Sequence, residues 1–150
     1  MLKKLFANRS KRFYIELCSG IVGIIASIIF FIVERNVAGA SLQFEDTSLL
    51  TFIFVLVGGV ISIVDAFIRL PLVGILPCVA YGYSIGNHIR NAAFILADVT
   101  EPVAFFTGSV DKANSLLNVY IPFLVIFVLV GIASIVACFL GEKKKELAKA

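Results

Sequence analysis

The chain reads as an all-α integral membrane protein, four transmembrane helices in an antiparallel bundle with N-terminus and C-terminus both cytoplasmic. Three observations predict this: four long runs free of charge, too few polar residues to cover a soluble domain, and basic residues gathered at one side. Of 150 residues, 60% are apolar and 15% charged, with a mean hydropathy of +1.03, whereas soluble domains carry about 25% charge. A folded soluble domain of this length leaves a large wet surface that needs polar cover.

The charge-free runs span residues 17–33, 47–64, 70–87 and 113–141. A helix rises about 1.5 Å per residue and the hydrocarbon layer is about 30 Å thick, so about 20 residues cross it. With their flanks the runs give spans at 13–33, 49–68, 72–97 and 119–140, one transmembrane domain over residues 1–150, with outer loops at 34–48 and 98–118. Stretches such as Ile24-Ile25-Ala26-Ser27-Ile28-Ile29 do not alternate as a barrel strand would, and in lipid the backbone must satisfy its own hydrogen bonds. Arg69-Leu70-Pro71 between the second and third spans forces a tight hairpin, with Pro71 suited to a first helical turn. Pro77 is expected to kink the third helix and Pro122 to sit in the first turn of the fourth. Phe105-Phe106 is expected at the interface.

Orientation follows from the basic residues. Lys3, Lys4, Arg9, Lys11 and Arg12 precede the first span, Arg69 lies in the second turn, and Lys143, Lys144, Lys145 and Lys149 follow the last. That is ten of thirteen on one side, the side retained in the cytoplasm. The net charge of +3 therefore reports topology and lipid contact rather than nucleic-acid binding. A cleaved leader is not expected, because the first apolar run is too long and Glu34-Arg35 interrupts the approach to Ala38-Gly39-Ala40. The expected location is the plasma (inner) membrane.

The third helix differs from the others. Gly74, Cys78, Gly82 and Gly86 recur every four residues, a ridge that lets another helix approach closely, either inside the bundle or from a partner. Ser19-Gly23-Ser27 and Gly58-Ser62-Ala66 are weaker versions. Towards its outer end stand Tyr81, Ser84, Asn87, His88, Arg90 and Asn91. Tyr81, Ser84, His88 and Asn91 fall within about 80° of arc, a face that belongs against protein or water. This is the candidate polar site, unless the helix stops near Gly86 and residues 87–91 are wet and irregular. Arg90 is expected to pair with Asp98, Glu101 or Asp111. At the cytoplasmic edge, Arg12 with Glu16 and Asp65 with Arg69 form i,i+4 charge pairs at similar depth.

Cys18, Cys78 and Cys138 include no Cys-x-x-Cys, so they read as small packing residues rather than redox thiols. One histidine leaves no bis-histidine haem site and too few zinc ligands, so neither cofactor nor metal is expected. Phosphate-loop, His-Glu-x-x-His and Gly-x-Ser-x-Gly motifs do not occur, and no nucleophile has a partnered base. In helix number and length alone the chain resembles small multidrug transporters and fluoride channels, which carries no residue roles across. The expected function is a non-enzymatic accessory or structural subunit of a membrane assembly or homo-oligomer, with the bilayer and a membrane-protein partner or second copy as its contacts. The alternative is a small transporter or channel using the polar face of the third helix.

Overall fold

The computed structural model describes residues 10–38, 45–68, 73–101 and 104–140. They form four helices: α1 (Lys11–Ala38), α2 (Glu45–Ile68), α3 (Ile75–Thr100) and α4 (Val110–Phe139). Three are long and apolar enough to cross a membrane, over Lys11–Val37, Ser48–Ile68 and Val110–Phe139. By that measure α3 falls short, because of the polar residues from Tyr81 to Asn91.

Local chemistry sets the helix starts. Ser10 caps α1, its hydroxyl accepting the Phe13 amide at 3.4 Å, and so satisfies a donor that the first turn leaves free. Gly108, at φ 81°, turns the chain into Ser109, whose hydroxyl accepts the Lys112 amide at 3.2 Å. With Asp111 in the first turn, this start favours the positive end of the helix dipole. The cap begins α4 nine residues ahead of the expected span, so Pro122 lies well inside the helix and not in its first turn. Conversely, α3 begins at Ile75, which puts Pro77 in the first turn, where its missing donor costs nothing, and removes the expected kink. The helix also runs past Gly86 to Thr100, so residues 87–91 are helical. Pro71 and Arg69 lie outside the described residues.

The helices form a closed ring in which each packs on two neighbours: α1 on α2 and α4, α3 on α2 and α4. Every neighbouring pair is antiparallel. Gly20 meets Gly59 while Glu34 meets Ser48. Asp65 lies beside Gly74 while Thr51 meets Ser84. His88 meets Tyr120 while Cys78 meets Cys138.

Helices α1 and α2 approach backbone to backbone. A methyl group on Gly20 would lie 2.7 Å from the Gly59 carbonyl oxygen, and one on Gly59 would lie 2.8 Å from the Gly20 oxygen. Backbone contact of this kind gains dispersion energy where the hydrophobic effect gives nothing. Gly23 and Gly58 similarly make room for the Tyr81 ring. The ridge read on α3 divides: Gly74 is buried against Arg12 and Asp65, but Gly82 and Gly86 face outward with nothing within 4 Å. Packing inside the bundle is therefore corrected for those two, because the buried arc of α3 carries Tyr81, Ser84 and His88 instead.

The loop expected over 98–118 shrinks to residues 101–109. Asp98 organises it, accepting the Phe106 amide at 2.9 Å, the Thr107 amide at 2.6 Å and the Thr107 hydroxyl at 2.8 Å. Burial raises its pKa, but the Thr107 hydroxyl and these amides outweigh it, and the carboxyl sits below its ordinary value. Phe106 stacks on Phe94 at 4.7 Å between centroids, while Phe105 is exposed.

Gly59→Leu should cost about 1–3 kcal/mol or more through forced separation of α1 and α2, whereas Gly82→Leu should change stability by no more than about 0.5 kcal/mol. Chemical denaturation of the two variants in detergent micelles checks this; equal losses would contradict the packing described.

Candidate functional site

The buried face of α3 carries Tyr81, Ser84, His88 and Asn91, each at most 1% exposed. Asn87 is half-buried, and Arg90 is exposed with its guanidinium over the Phe94 ring, 5.5 Å from the centroid. The acidic partner expected for Arg90 at Asp98 is already engaged by Phe106 and Thr107, so an aromatic face takes that role.

Ser84 and His88 tie the buried face of α3 to both neighbouring helices. The Ser84 hydroxyl donates to the Thr51 carbonyl of α2 at 3.1 Å. His88 Nε2 lies 2.8 Å from the Tyr120 carbonyl oxygen of α4. A carbonyl only accepts, so Nε2 carries the proton, and in the neutral ring Nδ1 is left as a lone-pair acceptor. Among the described residues Nδ1 has no hydrogen-bond partner although the side chain is 0% exposed. The imidazole is clamped by rings: it stacks on Tyr120 at 4.5 Å and 17°, and Phe30 and Phe127 approach edge-on at 5.0 and 5.2 Å.

Tyr120 links this cluster to α1. Its phenol donates to Glu34 Oε1, and the Ser48 hydroxyl of α2 donates to Glu34 Oε2. Asn91 lies against the same phenol. Glu34 is 1% exposed, a carboxyl group enclosed by the bundle where the sequence reading put an outer loop. The reason is geometric: α1 continues to Ala38, and Glu34 lies one turn beyond Phe30 on the inward face. Sequence reasoning missed Glu34, Ser48 and Tyr120. The signal was the inward stripe of α1, which Ser19, Gly23 and Ser27 mark and which Glu16 and Glu34 extend at either end.

No protein-family model, curated protein or solved structure matches this chain.

A second cluster closes the opposite end. Arg12 Nε holds Glu16 Oε1 and its Nη2 holds Asp65 Oδ2, both at 2.6 Å. Asp65 is thus paired across to α1, while Arg69 lies outside the described residues. Arg12 retains 21% side-chain exposure against 1% for Asp65. The guanidinium therefore reaches the bundle edge while it neutralises two carboxylates behind it. Gly74 fits beside this group because a methyl there would lie 3.1 Å from both Arg12 Nη2 and Asp65 Oδ2. Between the two clusters the Tyr81 ring fills the axis, with its hydroxyl towards Ser62. No group of three or more His, Cys, Asp or Glu placed to hold a metal occurs among the described residues.

Tyr120→Phe keeps the ring that stacks on His88 but strands Glu34, and should cost about 1–3 kcal/mol. Combined with Glu34→Leu, the two losses should fall short of additive by at least about 0.5 kcal/mol. A double-mutant cycle by denaturation in micelles measures the coupling; additivity would show that the two side chains do not share a hydrogen bond.

Proposed function

We propose that this chain is a non-enzymatic integral membrane protein with four spans and cytoplasmic termini, residing in the plasma membrane and acting as a subunit, with a second copy or a membrane-protein partner on the open face of α3. One observation carries the membrane part. The polarity of the molecule is inverted, with Glu16, Glu34, Asp65, His88 and Asn91 inside and Ile25, Ile32, Val60, Val79, Leu96, Leu129 and Ile132 among the apolar side chains outside. In water that exterior is a liability; in lipid it is the matching surface.

The same observation supports α3 as the fourth span. Its composition is too polar for a span judged alone, but its polar side chains at Ser84, His88 and Asn91 turn inward, and Ile75, Leu76, Val79, Tyr83, Ile89 and Leu96 face out. Packed antiparallel between α2 and α4, it crosses wherever they cross. Its outward face also holds Gly82 and Gly86, open to an approaching helix. Phe30, Tyr81, Tyr120 and Phe127 fill the axis, each 1% exposed or less, which favours a subunit over a channel. Native mass spectrometry in mild detergent should find the chain in an assembly of defined stoichiometry, and Gly82→Leu should release folded monomer. A monodisperse monomer from the unaltered protein would sink the subunit role.

His88 supports a second reading, a small transporter that moves protons or a small cation. The buried, unpartnered Nδ1 is a proton acceptor enclosed by a membrane bundle, the kind of group that marks proton paths. In reconstituted vesicles, His88→Ala or Asp65→Asn should abolish flux; no flux from the native protein would dismiss this reading.

A further inference from the structure

Cys78 and Cys138, 60 positions apart, meet where α3 begins and α4 ends. Their sulfurs are 3.5 Å apart. A single acceptor gathers them: the Gly74 carbonyl takes the Cys138 thiol at 2.9 Å and the Cys78 thiol at 3.9 Å. The Ser134 hydroxyl, 3.6 Å from the Cys78 sulfur, borders the pair. Cys138 is exposed and Cys78 half-buried, so one thiol meets reagents first and the other waits behind it.

We propose that Cys78 and Cys138 are a modification site, a cross-helix dithiol that peroxide oxidation closes to a disulfide. Cys138 reacts first. It gives its proton to water, and the thiolate attacks one peroxide oxygen, breaking the O–O bond to leave a sulfenic acid and, after protonation of the leaving oxide, water. Cys78 then attacks that sulfur, the S–S bond forms, and the hydroxyl departs as a second water. Two thiols and one hydrogen peroxide become one disulfide and two waters. Bringing the sulfurs from contact to about 2 Å takes a small movement of either side chain, and Cys138 releases the Gly74 carbonyl as it turns. A small thiol reverses the step by exchange at the exposed sulfur.

The position gives closure a consequence. Gly74, which holds both thiols, also lies against Arg12 and Asp65. The Arg12–Asp65 pair links α1 to α2; a Cys78–Cys138 bond would link α3 to α4 at the same level. With the bond formed, the start of α3 is fixed covalently to the end of α4 at the level where Arg12 ties α1 to α2.

The test uses the full chain in micelles with Cys18→Ser, which removes the remaining cysteine. After hydrogen peroxide treatment the monomer should lose about 2 Da with no added oxygen, both thiols should disappear together from maleimide labelling, and the midpoint of thermal unfolding should rise. Reduction should reverse all three changes. In Cys78→Ser, Cys138 should instead gain oxygen in steps of about 16 Da, and in Cys138→Ser, Cys78 should react more slowly than Cys138 does alone. Oxygen addition without loss of hydrogen in the two-thiol protein, a disulfide only between copies, or two thiols still free after excess peroxide would each overturn the proposal.

Discussion

The Glu34 carboxyl group is the constraint on which the half of the bundle around Tyr120 depends. Inside a shell of apolar side chains it must receive hydrogen bonds from protein, and it takes one from α4 through Tyr120 and one from α2 through Ser48. The circuit continues through Ser84, which ties α3 to α2, and through His88, which ties α3 to the Tyr120 carbonyl of α4. Four helices are thereby joined in sequence around a ring, and a slip of any one by a turn breaks two links. Apolar packing in a membrane is poor at specifying register, because lipid tails compete with side chains on equal terms. Directional bonds between buried polar groups supply what packing cannot.

Two different devices hold the opposite ends together. The end around Tyr120 is sealed, with Glu34, His88 and Asn91 enclosed by Phe30, Tyr120 and Phe127. At the other end Arg12 satisfies Glu16 and Asp65 with ionic bonds and keeps part of its guanidinium exposed. Between them α1 and α2 meet backbone to backbone at Gly20 and Gly59, which leaves no width for misaligned side chains. The glycines of α1 and α2 therefore serve the bundle, whereas Gly82 and Gly86 of α3 face away from it. A glycine repeat reads the same in both settings; only the neighbouring helix tells them apart.

That distinction marks how far the sequence was legible. The four helices follow from hydropathy and run length, and the shared face of Tyr81, Ser84, His88 and Asn91 follows from helical period, since both are properties of a single segment. Helix starts were less legible: Pro77 sits in the first turn of α3 and Pro122 well inside α4, the reverse of what run length suggests. Least legible were the pairings between helices, of which only the similar depth of Arg12 and Asp65 gave a sign. Tyr120 and Glu34 are 86 positions apart, Cys78 and Cys138 are 60 apart, and Arg12 and Asp65 are 53 apart. An i,i+4 rule sees Arg12 with Glu16 but cannot see that the same guanidinium also turns to α2. Glu34 fell one residue beyond an apolar run and so read as a loop residue, although the inward stripe of α1 continued to it.

The contrast between the two ends bears on what the interior can do. A group that exchanges protons with water needs contact with it, and Arg12, partly exposed, gives Glu16 and Asp65 a neighbour at the edge. His88 has no such neighbour: its Nε2 is committed to the Tyr120 carbonyl, its faces are covered by rings, and Tyr81 lies between it and the charged end. A proton reaching Nδ1 must therefore wait for an opening of the ring, in which Tyr120 is the shared member. Its phenol holds Glu34, its carbonyl holds His88 and its ring covers the imidazole. Displacing that one residue would expose Glu34 and His88 together. Access to the site and integrity of the bundle are thus coupled through Tyr120, and any ligand or partner that moves α4 relative to α1 acts on both at once.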